Sequence, residues 1–141
     1  MSKLFIAAIL ATLSFSAVDA QDFDTLMSSY GLVDIQSIDD EILVELKYSS
    51  TDNFVGEDMY GNLERAYFES SFADRVVKAQ QILKRRNPNY TLLIYDAARP
   101  ISVQRHMRKV VEGTRFEGFV ADGTKGGRHN YGVAVDLTIA Q

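Results

Sequence analysis

The sequence predicts an α+β domain with a mainly antiparallel sheet and helices packed on one face. Two stretches carry apolar residues at helical spacing, and they lie between segments whose apolar residues alternate or form short runs. The resulting order is strand, helix, strand, helix, strand, strand, which is typical of α+β domains. A length of 141 residues suits one domain, and 46% hydrophobic residues is ordinary for a globular protein.

Charge and cysteine content exclude two kinds of site. The net charge of -4, from 15 basic and 19 acidic residues, argues against a nucleic-acid partner, because such a surface needs an excess of basic residues. The chain has no cysteine, so neither disulfides nor thiolate metal sites can form. Any metal ion must therefore be held by histidine, aspartate or glutamate.

The first twenty residues have the three parts of a secretory signal peptide. Lys3 provides the positive charge, Leu4 to Leu13 is a short apolar run, and Val18-Asp19-Ala20 is a small-residue cleavage signal. The apolar run is too short to span a bilayer, so we expect no membrane span. We expect residues 1–20 to be removed and residues 21–141 to form an exported domain, periplasmic or secreted. The sequence does not indicate its oligomeric state.

The sequence of the first half of this domain predicts a strand, a loop and a helix. The polar lead-in from Gln21 to Gly31 is either irregular or a short helix. Apolar and polar residues alternate from Glu41 to Tyr48 and predict a strand, which the loop from Ser49 to Gly61 follows. Apolar residues spaced three or four apart predict a helix from about Glu69 to Arg86, which the Asn87-Pro88-Asn89 turn ends.

We expect the second half to begin with a buried strand from Thr91 to Tyr95, because the residues on both faces of such a strand would be mostly apolar. Pro100 disfavours helix at Arg99 and suits the first turn of a helix predicted from Ser102 to about Glu112. Phe119 to Ala121 is a short strand candidate. Alternating apolar residues predict a final strand: Val133, Val135, Leu137 and Ile139.

The stretch from Gly126 to Asp136 is the candidate functional site. It contains His129, one of only two histidines, and places Asp136 inside the last apolar strand. A carboxylate on a central apolar strand is costly unless it has a partner, and a metal ion shared with His129 is one such partner. The alternative is a glycine-rich turn followed by a strand whose aspartate caps a neighbouring loop. The other histidine, His106, lies between Arg105 and Arg108 on a predicted helix, which suits a solvated face better than a ligand.

Three separated motifs then occur in order along the chain. They are Leu46-Lys47-Tyr48 with Asp52-Asn53-Phe54-Val55-Gly56, then Asp96-Ala97-Ala98-Arg99-Pro100, then the His-x-x-Gly-x-Ala-x-Asp pattern of His129, Gly132, Ala134 and Asp136. Together they resemble the zinc D-alanyl-D-alanine dipeptidases of the vancomycin-resistance type, a branch of the zinc D-Ala-D-Ala peptidase family. The resemblance covers roughly Asp39 to Ile139.

This resemblance implies a zinc metallopeptidase that hydrolyses the D-alanyl-D-alanine dipeptide to D-alanine, in the context of peptidoglycan and the cell wall. It implies one zinc ion per chain, on the central strands, with His129 and Asp136 as two of its ligands. Arg99 would stabilise the oxyanion of the tetrahedral intermediate, since arginine stays charged and offers several donors.

Two departures from the family pattern accompany the resemblance. Gly127 stands where the family commonly has a serine whose hydroxyl helps to hold the substrate. The family also continues with a Glu-x-x-His motif that supplies a general base and a third zinc ligand, whereas no such motif follows Asp136 before Gln141. We therefore expect a domain that is incomplete at its C-terminus. A D,D- or L,D-carboxypeptidase acting on peptidoglycan stems, and an inactive, truncated cell-wall-binding relic, stay open as alternatives.

Overall fold

The computed structural model describes residues 22–141, and the predicted signal peptide therefore lies outside the described residues. Three α-helices and five β-strands follow one another along the chain: α1 Phe23–Ser29, β1 Val33–Asp34, β2 Leu43–Val44, β3 Tyr67–Phe68, α2 Ser70–Arg86, β4 Thr91–Asp96, α3 Ile101–Val111 and β5 Asp136–Ala140. The mixed α+β class predicted from the sequence is confirmed. Within residues 22–141, no helix combines the length and apolar character needed to cross a membrane.

The strands form two small sheets. β1 pairs antiparallel with β3, and the second sheet has the order β2-β4-β5, with β4 in the middle. β2 runs parallel to β4, whereas β5 runs antiparallel to it. Helix α2 packs against β4 and β3. The expectation that all helices share one face stays a prediction.

The longer predicted elements are confirmed with small changes at their ends. The Glu69 carboxylate accepts hydrogen bonds from the backbone N–H groups of Ser71 at 3.1 Å and Phe72 at 3.0 Å, so it caps the first turn of α2. Three basic residues occupy the last turn, where they complement the helix dipole. Pro100 directly precedes α3, as its fixed backbone angle suggests.

The predicted strand from Glu41 to Tyr48 is mostly wrong. Only Leu43–Val44 pairs with β4, and Lys47–Ser49 forms a 3₁₀ turn. The reason lies in the backbone hydrogen bonds. The carbonyl of Tyr48 accepts the N–H groups of Met59 at 2.8 Å and Tyr60 at 3.1 Å, which draws the chain away from the sheet.

The predicted strand from Phe119 to Ala121 is also absent from the described residues, where Glu117–Phe119 forms a 3₁₀ turn. The carbonyl of Val120 accepts from the Arg108 side chain at 2.9 Å and that of Ala121 from the Gln104 side chain at 2.8 Å. Carbonyls that are bound by helix side chains are not available to a neighbouring strand. The final strand starts later than predicted, because Val133 donates its N–H to Arg128 at 3.0 Å within a turn.

Candidate metal centre

The end of the central strand β4 brings a buried ion pair to the site. Asp96 is 1% exposed and Arg99 8% exposed, and the Arg99 Nη2 group donates to Asp96 Oδ2. The hydroxyl of Tyr60 donates to the other Asp96 oxygen at 2.6 Å. Both oxygens of Asp96 therefore have partners, which a buried carboxylate requires.

Arg99 is held on several sides. Its Nε group donates to the Tyr60 hydroxyl at 3.4 Å, and its Nη1 group donates to Gln104 Oε1 at 2.7 Å. Nη1 also lies 3.6 Å from Met107 Sδ. The Cζ atom lies 5.1 Å from the centroid of the Tyr48 ring. A guanidinium has five N–H donors, and these contacts together with the Asp96 bond engage four of them. One N–H group, on Nη2, has no acceptor among residues 22–141.

The same neighbours keep Arg99 charged. Burial alone would lower the pKa of the Arg99 guanidinium, but the charge of Asp96 and the hydroxyl of Tyr60 outweigh it, so the pKa lies above its ordinary value. Burial also raises the pKa of Tyr48 to about 12, and the charge of Asp96 adds to this effect while that of Arg99 opposes it. Tyr48 is therefore neutral at physiological pH.

His129 lies in a 3₁₀ turn, Arg128–Tyr131, that is bonded to the end of β4. Its Nδ1 atom lies 2.8 Å from the carbonyl of Ala97, and its own carbonyl accepts the N–H of Arg99 at 2.9 Å. A carbonyl only accepts, so Nδ1 carries a proton, and Nε2 is the nitrogen that has the lone pair in this tautomer of the neutral imidazole. Histidines that bind metals commonly donate their second ring nitrogen in this way.

Asp136 is the first residue of β5 and lies beside the free nitrogen of His129. Its Oδ1 atom is 3.8 Å from His129 Nε2, and its side chain is 60% exposed. β5 is an outer strand of the sheet that residues 22–141 form, so the prediction that Asp136 lies on a central strand is not confirmed. Its carboxylate faces solvent, and the burial cost that we expected on a central strand does not arise.

Three potential ligand atoms, one each from Asp96, His129 and Asp136, lie within 4.8 Å of one another. Zinc–nitrogen and zinc–oxygen bonds are each about 2.0–2.2 Å long, so a separation of 3.8 Å lets one ion reach both His129 and Asp136. Asp96 is a less suitable ligand because Arg99 and Tyr60 occupy its oxygens. The donor set of His129 and Asp136 therefore fits a zinc ion with open positions.

All three residues predicted from the sequence line one cavity of about 570 Å³, namely Arg99, His129 and Asp136. This volume lies within the range usual for small-molecule sites. Phe119, which is 76% exposed, and Phe54 form part of the wall, with ring centroids 6.3 Å apart. A larger cavity of about 910 Å³ lies between α1 and the 45–65 segment, away from these three residues.

His106 lies outside this cluster, as we expected. Its Nε2 atom lies 3.1 Å from Glu57 Oε2 on an exposed face of α3. Asp96, which is bound to Arg99 and lies beside His129, was not among the predicted site residues, although it begins the motif Asp96-Ala97-Ala98-Arg99-Pro100. Tyr60 and Gln104 also contact Arg99, but no spacing pattern in the sequence predicts this, because both contacts depend on the direction of the Arg99 side chain.

A histidine and an aspartate that one metal ion could bridge lie beside a buried arginine in a small cleft, and together they form a candidate metal site. The chain is similar to D-alanyl-D-alanine dipeptidase of Escherichia coli (strain K12), with 30% identity over 108 residues. The match covers 77% of this chain and 53% of that protein, so the chain spans about half the length of this relative. No protein-family model matches the chain.

Proposed function

We propose that the protein is a zinc-dependent peptidase that hydrolyses D-alanyl-D-alanine to D-alanine, with the zinc held by His129 and Asp136. The main support is the geometry of His129, whose Nδ1 donates to Ala97 while Nε2 lies 3.8 Å from Asp136. The similarity to a protein named D-alanyl-D-alanine dipeptidase supports the same class of reaction. We also propose that residues 1–20 direct export, because they combine a positive residue, a short apolar run and a small-residue cleavage signal.

Each residue has a distinct part in this proposal. A bound zinc ion supplies Lewis acidity, which activates water and polarises the peptide carbonyl. The Ala97 carbonyl holds the imidazole of His129 in the required tautomer and orientation. Arg99 directs its remaining Nη2 N–H group toward the carbonyl oxygen that becomes negative in the transition state. Because Asp96 and Tyr60 hold Arg99 in advance, little reorganisation accompanies the reaction.

A carboxypeptidase that trims longer peptidoglycan stems is the second candidate. It is favoured by the aromatic wall formed by Phe54 and Phe119, because an exposed ring beside the cleft offers surface to a substrate larger than a dipeptide. Comparing hydrolysis of the free dipeptide with that of a pentapeptide stem separates the two candidates. Preference for the pentapeptide would contradict the dipeptidase proposal.

The direct test is release of D-alanine from D-alanyl-D-alanine by the zinc-loaded protein. We expect turnover that a chelator abolishes and zinc restores, provided that the protein assayed includes the Glu-x-x-His motif of the family pattern. His129→Ala and Asp136→Asn should abolish it, whereas the matched control His106→Ala should not, because His106 lies outside the cavity. Arg99→Lys should lower kcat by about 100-fold or more, since lysine lacks the planar fork. A protein that binds zinc at His129 and leaves the dipeptide intact would contradict the proposal.

A further inference from the structure

Side chains on one face of α3 hold the segment that leads to the His129 turn. This segment, residues 117–123, lacks strand pairing, and its carbonyls are bound by the helix instead. Three such hydrogen bonds are Gln104 Nε2 to Ala121 at 2.8 Å, Arg105 Nε to Gly123 at 3.3 Å and Arg108 Nη1 to Val120 at 2.9 Å. The position of the segment is therefore set by α3.

Gly123 shows how closely the segment approaches the helix. A Cβ atom at Gly123 would lie 3.1 Å from Arg105 Cγ and 3.3 Å from Gln104 Cγ, and the backbone there has a positive φ of 73°. Both features favour glycine, because other residues rarely adopt this conformation and a Cβ atom would require the Arg105 and Gln104 side chains to shift. The contact between the segment and Gln104 is consequently tight as well as hydrogen-bonded.

Gln104 differs from its neighbours on α3 because it also reaches Arg99. Its Oε1 atom accepts from Arg99 Nη1 at 2.7 Å, while its Nε2 group donates to Ala121. Within the described residues, neither Arg105 nor Arg108 forms a hydrogen bond with Arg99. Gln104 is 4% exposed, so water does not compete readily for either bond.

We propose that Gln104 is a positioning residue that fixes the guanidinium of Arg99 relative to residues 120–123 and the cavity. The consequence for catalysis rests on the proposed function of Arg99. Asp96 receives one Arg99 bond on Oδ2, while Tyr60 occupies Oδ1. Without Gln104, the guanidinium is free to turn toward Asp96 and form the two-bond pair that arginine and carboxylate prefer. Asp96 would then engage the N–H group on Nη2 that has no acceptor among residues 22–141.

Three variants separate positioning from general support of the fold. Gln104→Met keeps the length of the side chain but removes both hydrogen bonds. Gln104→Glu keeps an acceptor for Arg99. Arg105→Met is the matched control, because it removes a hydrogen bond from α3 to the Gly123 carbonyl and leaves every hydrogen bond of Arg99 in place. Circular dichroism and zinc affinity report whether each variant is folded with an intact His129 site.

The deciding measurement is NMR of isotope-labelled arginine side chains, with the Arg99 signals assigned from Arg99→Lys. A clamped guanidinium rotates slowly and gives separate, persistent Nη signals. We expect these signals in the wild type, in Arg105→Met and in Gln104→Glu, and their loss by exchange broadening in folded Gln104→Met. Unchanged Arg99 signals in Gln104→Met, or equal loss in Arg105→Met, would overturn the proposal.

Activity gives a second measurement. We expect Gln104→Met to lower kcat for D-alanyl-D-alanine by about 100-fold with little change in KM, because misplacement of a catalytic group affects the transition state most. A wild-type protein that does not cleave the dipeptide would contradict the proposed function, while the NMR result would still decide the role of Gln104. Equal loss of kcat in Arg105→Met would count against positioning by Gln104.

Discussion

Gly132 has no room for a side chain. Its φ is +70°, and a Cβ atom there would lie 2.8 Å from the backbone nitrogen of Glu69 and 2.9 Å from a methyl group of Leu32. The Glu69 nitrogen is fixed because it donates to the carbonyl of Gly132 at 2.9 Å. The glycine of the His-x-x-Gly pattern is thus the place where the His129 turn touches the start of α2.

We expect Gly132→Ala to destabilise the protein by about 1–3 kcal/mol from the left-handed backbone alone, with a further loss from the clash. The measurement is urea unfolding followed by circular dichroism. Gly127→Ala is the matched control, because Gly127 has an extended backbone and its Cβ would meet nothing closer than 3.7 Å. Equal losses in the two variants would contradict this explanation.

At the residue scale, the sequence supplied the three candidate site residues but only part of their surroundings. The spacing of His129 and Asp136 predicts a metal pair and the family resemblance adds Arg99, and the structure brings all three into one cavity. The buried partners of Arg99 were beyond local pattern reasoning, because Tyr60 lies 39 positions away in the chain. Contacts between segments that lie far apart in the chain leave no spacing pattern in the sequence.

At the element scale, the predictions succeeded where an element spans several periods. Helix α2 covers 17 residues and α3 covers 11, so their apolar stripes are unambiguous. Strands β1, β2 and β3 have two residues each, which is too short to show alternation. The 41–48 segment alternates correctly yet leaves the sheet, because the turn at Tyr48 provides other hydrogen-bond partners.

The N-terminus of α2 provides a prediction on pH. Hydrogen bonds from the Ser71 hydroxyl and from the backbone N–H groups of Ser71 and Phe72 hold the pKa of Glu69 below its ordinary value of 4.5. A group with a lowered folded-state pKa stabilises the fold above its unfolded pKa and loses this effect as pH falls through the folded pKa. The contribution of Glu69 is therefore complete at neutral pH, begins to fall near pH 4.5 and is lost as pH falls through the lower folded-state pKa.

We expect Glu69→Ala to lower the melting temperature at pH 7, and we expect the difference from the wild type to shrink as pH falls below 4.5. Thermal unfolding at a series of pH values measures both effects. Glu64→Ala removes the same charge from an exposed position and serves as the control. A difference that is constant with pH, or equal in the control, would show that the carboxylate cap is not the cause.

At the scale of the whole molecule, the candidate site joins parts of the chain that local structure does not connect. The His129 turn is bonded to the end of β4 through Ala97 and Arg99, whereas Asp136 starts the outer strand β5. Leu137 and Ile139 on β5 are 40% and 53% exposed, so this strand gains little from burial. An ion shared by His129 and Asp136 would therefore bind the least buried strand to the rest of the fold.

Zinc should consequently stabilise the native state. An ion that binds only the folded protein raises the free energy of unfolding by about 2.7 kcal/mol when its concentration is a hundred times the Kd. We expect the melting temperature to rise with the logarithm of zinc concentration and to return to its starting value with a chelator. His129→Ala and Asp136→Asn should remove the rise, and His106→Ala should keep it, because His106 bonds to Glu57 away from the cavity. A rise that survives loss of His129 but not of His106 would place the zinc elsewhere and contradict the proposed centre.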